Sequence, residues 1–189
     1  MDFTIRPVCE NDAADIHEIR LQEEVLPNIL SVPSETLGYT KEWLSDIDPA
    51  AQHVFVAEIE QGGYDTKVVG VASLMMSSRL RQRHSAGIGI MVHKDYHGTG
   101  VGTALMEKLI DLADNWLCLV RLELDVLEGN EGALRFYRRL GFVQEGVKVM
   151  ETIRFGKYVN SIFMARINMT TIAAAPQSNA VNNNIEAVK

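Results

Sequence analysis

Three glycines alternate in Gly98-Thr99-Gly100-Val101-Gly102, between an apolar run ending at Val92 and an amphipathic stretch from Thr103 to Trp116. Without a Cβ at alternate positions the main chain can turn sharply, and its N–H groups can converge on one point. The helix behind the glycines adds its own unpaired N–H groups and the positive end of its dipole. A phosphate or pyrophosphate is the natural occupant of such a junction. A flexible turn ahead of a helix is the other reading, and the glycines alone do not choose between the two.

Spacing removes two familiar phosphate sites. A P-loop needs Lys-Ser or Lys-Thr after its last glycine, and here Gly102 is followed by Thr103-Ala104. A dinucleotide fingerprint needs G-x-G-x-x-G straight off the first strand of a βαβ unit. Here the pattern is G-x-G-x-G, His93 to His97 intervene, and a strand meander precedes it.

The junction opens a strand–helix–strand–helix passage. Ala86 to Val92 reads as a strand, Val120 to Val126 as the next, and Asn130 to Leu140 as a helix stopped at Gly141. Upstream lie a short strand at Phe3–Arg6 and a helix capped at Asn11-Asp12 with Ala14, Ile16, Ile19 and Leu21 on its apolar side. A second helix follows, capped by Ser34, with Glu35 in its first turn and Leu37, Trp43 and Leu44 inward. Strands at His53–Glu58 and Val68–Met76 then flank the turn at Gln61-Gly62-Gly63. Two more strands run over Phe142–Ile153 and Tyr158–Ala165. The pattern predicts an α+β, or mixed α/β, domain with a mostly antiparallel central sheet, one parallel βαβ crossover and about four flanking helices.

The domain is expected over residues 1–168, and a polar, disordered tail over 169–189, where periodicity fades and Asn182-Asn183-Asn184 has little to bury. A net charge of −7 argues against a broad nucleic-acid-binding surface. No apolar run approaches the roughly 20 residues of a membrane span. The first residues show no basic segment followed by an apolar one, so no signal peptide is expected. The two cysteines, Cys9 and Cys118, cannot form a disulfide framework and suit a reducing, cytoplasmic compartment. Cys118, at a helix-to-strand junction, reads as small apolar core. His53, His93 and His97 lack metal-ligand spacing, and no metal site is expected.

The stretch from Val92 to Leu105 resembles the acyl-CoA loop of the GCN5-related N-acetyltransferases (GNAT). Their pattern Gln/Arg-x-x-Gly-x-Gly/Ala falls on His97-x-x-Gly100-x-Gly102, with His97 departing from the usual residue. A second stretch, from Asn130 through Ala133 and Tyr137 to Gly141-Phe142, matches the family's N-x-x-A-x-x-x-Y-x-x-x-G-F element in order and spacing. The likeness covers about residues 3–167. Asp114-Asn115-Trp116-Leu117, the Glu123-bearing strand and Arg154-x-Gly156-x-Tyr158-Val159 are similar to the YhhY-type branch of L-amino-acid N-acyltransferases.

The resemblance implies an acetyl-CoA-dependent N-acetyltransferase acting on the primary amine of a small acceptor by direct attack in a ternary complex. An L-amino acid is one such acceptor; protein N-termini, lysines, polyamines and aminoglycosides stay open. It implies a homodimer, and main-chain binding of acetyl-CoA by Ile90, Met91 and Val92 and by the loop His97, Gly98, Thr99, Gly100, Val101, Gly102 and Thr103. Asn130, Ala133 and Tyr137 belong to the same site. Tyr137, seven residues after Asn130, lies about two helical turns on and nearly on one face. A phenol near pKa 10 facing a thiolate near 8.5 makes full proton transfer uphill by roughly 2 kcal/mol, so hydrogen bonding or concerted transfer is favoured.

The general base is Glu123, His84 or a water chain ending at either. Arg81 and Arg83 could meet a substrate carboxylate bidentately. Arg135, Arg138 and Arg139 read as a solvated helix face. A reading of another class also stands: a degenerate acyl-CoA-binding module that regulates a partner and transfers nothing.

Overall fold

The computed structural model describes residues 2–63 and 65–170. The expected polar tail lies, from residue 171 onward, outside the described residues. Val54 and Val56 are buried on either side of the half-buried Phe55, an alternation that fixes which face of their strand meets the core. Strand β1 (Thr4–Pro7) pairs antiparallel with β2 (Gln52–Gln61), β2 with β3 (Asp65–Met76), and β3 with β4 (Ser85–Val92). Strand β5 (Arg121–Leu127) joins β4 in parallel, then pairs antiparallel with β7 (Lys157–Ile167), which pairs with β6 (Val143–Arg154). Among the described residues this makes a seven-stranded sheet in the order β1-β2-β3-β4-β5-β7-β6, with one parallel pair.

Helices cover both faces. Helix α1 (Ala13–Leu21) and α2 (Leu37–Ser45) bury Ala13, Ile16, Ile19 and Leu44 against Val54, Val56, Val68 and Val71. On the other face, α3 (Val101–Asp111) and α4 (Glu131–Arg139) bury Val101, Leu105, Met106, Leu109, Leu134 and Tyr137 against Val69, Leu74, Leu122, Leu124 and Val126. Each fully buried aliphatic side chain here is worth ~1.5–3 kcal/mol over leaving it exposed. At Gly70 the packing of α3 on β3 is closest: an added Cβ would stand 2.9 Å from Leu105 Cδ1 and 3.0 Å from Val101 Cγ1.

Several local expectations are corrected. Thr36, not Ser34, caps α2, its hydroxyl accepting the Tyr39 N–H at 3.3 Å. Glu35 lies ahead of that helix because its carboxylate pairs with Arg20 at 3.2 Å. In α1 the buried position is Ala13 while Ala14 faces solvent, and Asp12 makes no cap bond because Arg6 and the Cys9 N–H hold its carboxylate. Helix α3 opens at Val101, two residues early, and ends in a wider π-helical turn over Leu112–Trp116. Cys118 is exposed, with a left-handed φ of 50°, because the chain must reverse there between that turn and β5.

Candidate active site

The site arises where two neighbouring strands part. Strands β4 and β5 face each other only at Ser85↔Arg121, Ala86↔Leu122 and Gly87↔Glu123. Beyond that point β4 continues along β3 as far as Val92, and β5 continues along β7 as far as Leu127. The facing edges from Ile88 and from Leu124 onward are therefore not paired with each other, and an opening widens toward their C-terminal ends.

A cleft of about 170 Å³ occupies this opening. Ile90, Met91 and Val92 form one wall; Asp125, Val126 and Leu127 form the facing one. Asn130, Ala133, Phe136 and Tyr137 of α4 close its side, and Glu24, Val25, Asn28 and Ile29 reach it from the segment between α1 and α2. His97 stands at the mouth.

The glycine turn adjoins that mouth. Gly98 and Gly100 have φ of 75° and 96°, the left-handed region that an L side chain adopts only with strain. Gly100 caps α3, its carbonyl accepting the Ala104 N–H at 3.0 Å, and Val101 turns inward, fully buried. Thr99 anchors the turn by donating its hydroxyl to the Tyr96 carbonyl at 2.7 Å. The N–H groups of Val101, Gly102 and Thr103 are those that open a helix without an intrahelical acceptor. Gly102 lies beside the cleft walls: a Cβ added there would stand 3.6 Å from Val92 and 3.7 Å from both Ile90 and Phe136.

Asn130 starts α4 by accepting the Ala133 N–H at 3.1 Å through Oδ1. Tyr137, two turns on, is 8% exposed and rests between the rings of Phe136 and Phe142, at 5.3 and 5.8 Å. Burial pushes its phenol up to about 12, so it stays protonated as a donor throughout the neutral range.

The other named residues divide. Glu123 sits at the point where the strands part, bonded to Arg121, which also pairs with Glu145 of β6 at 3.0 Å. Hydrogen bonds from Arg121 hold the Glu145 carboxyl below the usual carboxylate range, outweighing the opposing effect of desolvation. His84, Arg81 and Arg83 are not brought to the cleft. All three are exposed at the corner before β4, and β4 runs away from that corner. Six residues at ~3.3 Å each separate His84 from Ile90, roughly 20 Å.

Reading the sequence missed Glu24, Asn28 and Asp125. Asp125 carried a usable signal, since strand alternation puts it on the face that Glu123 occupies. Glu24 and Asn28 carried none, because only the packing of an irregular segment brings them over the sheet. Among the described residues, no group of three or more His, Cys, Asp or Glu side chains could hold a metal ion. No helix among them is long and apolar enough to cross a membrane.

Two open strand edges and the unpaired N–H groups that open α3 lie together at this end of the sheet. A buried, protonated phenol completes the wall. The fold is the one that the resemblance to the GNAT family implies.

Comparison with known proteins agrees. Residues 14–142 match the Acetyltransferase (GNAT) family. The chain is 35% identical to the L-amino acid N-acetyltransferase AaaT of Escherichia coli (strain K12), over 88% of this chain and 98% of that one. It is 27% identical to the spermidine N(1)-acetyltransferase of the same organism, over 85% and 83% of the two chains. In fold it resembles the spermidine N-acetyltransferase of Vibrio cholerae, solved with CoA and spermine, with a TM-score of 0.77 at 23% identity over 90% and 98% of the chains. The chain belongs to the GNAT acetyltransferase family. It is an N-acetyltransferase.

Proposed function

We propose that the enzyme acetylates the primary amine of a small acceptor, with an L-amino acid as the leading class, by direct attack while both substrates are bound. The observation that carries the transfer is the cleft itself, two open strand edges with a protonated Tyr137 on one wall, and the acceptor class is supported by the 35% identity to the L-amino acid N-acetyltransferase AaaT. Glu24 and Asp125, on the other walls, already hold lysines: Asp125 pairs with Lys148 at 2.7 Å and Glu24 with Lys94 at 3.5 Å.

In this reading the main chain of Ile90, Met91 and Val92 pairs with the pantetheine amides, with Asn130 and Ala133 on the facing helix. The N–H groups from Gly98 to Thr103 meet the pyrophosphate. Acetyl-CoA supplies the activated carbonyl. The acceptor ammonium gives a proton to water that runs to a carboxylate of the β5 face. The neutral nitrogen then forms a bond to the acyl carbon as the carbon–sulfur bond breaks, and the proton that this nitrogen sheds passes to the departing sulfur, which leaves as the CoA thiol. A phenol near 12 facing a thiol near 8.5 makes outright transfer uphill by roughly 5 kcal/mol, so Tyr137 acts by donating a hydrogen bond that shortens as sulfur leaves. Of the two side chains considered as base, Glu123 is favoured by its position at the parting of the strands and His84 is disfavoured by its distance.

A polyamine is the second acceptor class, supported by the spermidine acetyltransferases among the relatives. Thiol release from acetyl-CoA across free amino acids, amino acid amides, diamines and spermidine separates the two. Turnover on amino acids alone supports the leading class; turnover on diamines and spermidine alone replaces it.

The enzyme is further proposed to work as a cytoplasmic homodimer. The exposed apolar side chains of β6 and β7, among them Val149, Ile153 and Tyr158, and the neighbouring Phe155 support the assembly. Light scattering tests it, and a monomer at micromolar concentration rejects it.

A further inference from the structure

His97 stands where the family's donor loop opens on glutamine or arginine, and here it makes a bond of its own. Its Nε2 lies 2.8 Å from the Val92 carbonyl oxygen. A carbonyl can only accept, so Nε2 carries the hydrogen and donates it. Val92 is the last residue of β4 and part of the cleft wall; His97 is the last residue before the glycine turn. The bond thus runs from the loop that meets the pyrophosphate back to the strand that meets the pantetheine.

The intervening residues make this tie informative. His93 fixes the strand end through its N–H to the Val69 carbonyl, at 2.8 Å, and its Nδ1 accepts the Asp95 N–H at 3.3 Å. A short turn over Lys94–Tyr96 follows, and Thr99 bonds back to Tyr96. These bonds shape the turn internally. The His97 bond sets the distance of the turn from the open edge of β4.

Resting on the donor reading given above, we infer that His97 is a positioning residue for acetyl-CoA. It acts through the Val92 carbonyl, holding the two donor subsites at one spacing, rather than by contacting the phosphates. Glutamine can replace it, since its amide N–H donates to the same carbonyl. An ionised glutamate has no hydrogen to donate and cannot.

The test is a series of His97→Gln, His97→Glu and His97→Ala, compared with the wild type in steady-state kinetics and in calorimetric titration with CoA. For Ala and Glu the expected result is a rise in acetyl-CoA KM of roughly three- to tenfold, the effect of losing one hydrogen bond of ordinary net strength, with kcat at saturating donor retained. Gln is expected to restore the wild-type KM. In the wild type with labelled histidine, NMR should find the His97 proton on Nε2 before and after CoA is added. Three results overturn the inference: unchanged KM in Ala and Glu, a Gln variant as weak as Ala, or a His97 ring resonance that changes partner on CoA binding. If wild type itself does not bind CoA, the donor reading fails and takes the inference with it.

Discussion

Gly87 and Glu123 are the last facing residues of β4 and β5, and the active-site opening begins immediately beyond them. The next positions on both strands continue to pair on their outer sides, with β3 and with β7. The opening is therefore a divergence of two well-anchored strands rather than a frayed sheet end. Arg121 reinforces the apex, bonding Glu123 on its own strand and Glu145 on β6 while its guanidinium lies 5.7 Å over the Phe163 ring.

Replacing Tyr137 by phenylalanine removes the hydrogen-bond donor and keeps the packing between Phe136 and Phe142. The expected outcome is a fall in kcat of about 10²-fold or more, with little change in Tm or in acetyl-CoA KM. The phenol has been pushed up to about 12, so ionisation of this group does not limit the wild-type rate at any pH below about 10. Thiol-release assays between pH 7 and 10 check both statements. A wild-type rate unaffected by the substitution removes Tyr137 from the chemistry.

Gly100→Ala adds a Cβ where nothing lies within 4 Å, so any effect comes from the left-handed φ of 96°. Forcing alanine into that region costs about 1–2 kcal/mol. For a chain of this size, thermal melts should fall by roughly 2–8 °C. The donor KM should rise, because relaxing the strain turns the N–H groups at the start of α3. A variant with wild-type melting and KM contradicts the assigned backbone.

Glu123→Gln removes the base, and with it the charge facing Arg121, while keeping the side-chain shape at the strand apex. With Glu123 as the terminal base, kcat falls by about 10²-fold and the acidic limb of the pH–rate profile disappears. His84→Ala, at the far end of β4, should leave the profile untouched. Loss of activity in His84→Ala with full activity in Glu123→Gln reverses the assignment.

Asp12 supplies an acid-sensitive contribution to stability. Burial by itself would raise its pKa, but hydrogen bonds from Arg6 at 2.7 and 2.8 Å and from the Cys9 N–H outweigh this and hold the carboxyl below its usual range. The folded state then binds this proton more weakly than the unfolded chain, whose aspartate titrates near 3.9. Stability from this group is present above about pH 4 and is lost as pH falls through the lower folded value. Asp12→Asn should lower stability at pH 7 by about 1–3 kcal/mol. The gap from wild type should close in denaturant titrations run toward pH 3. A gap that stays constant with pH assigns the loss to packing instead.

The parts legible in the sequence are those encoded over short spans. The glycine turn needs positive φ at Gly98 and Gly100, and only glycine supplies it without strain, so its chemistry is visible in five consecutive residues. Asn130 and Tyr137 share one side of α4 because seven residues make about two helical turns. Helix caps were less legible. Thr36 displaced Ser34 because Glu35, between them, is drawn to Arg20 on another helix. Arg81, Arg83 and His84 looked close to the acceptor because they lie near β4 along the chain. They stand at the wrong end of that strand, a distinction that sequence distance does not carry.

By itself the sequence determined the order of strands and helices, the glycine turn and the Asn130–Tyr137 helix, since each depends on backbone dihedrals and side-chain periods set within about a dozen residues. Tertiary structure alone decided where β4 and β5 separate and which side chains face the gap. It brought Glu24 and Asn28 to the cleft, set Asp125 on its β5 wall, and joined His97 to Val92. Those outcomes depend on how distant segments compete for the same buried space and the same hydrogen-bond acceptors, and no local pattern records the result of that competition.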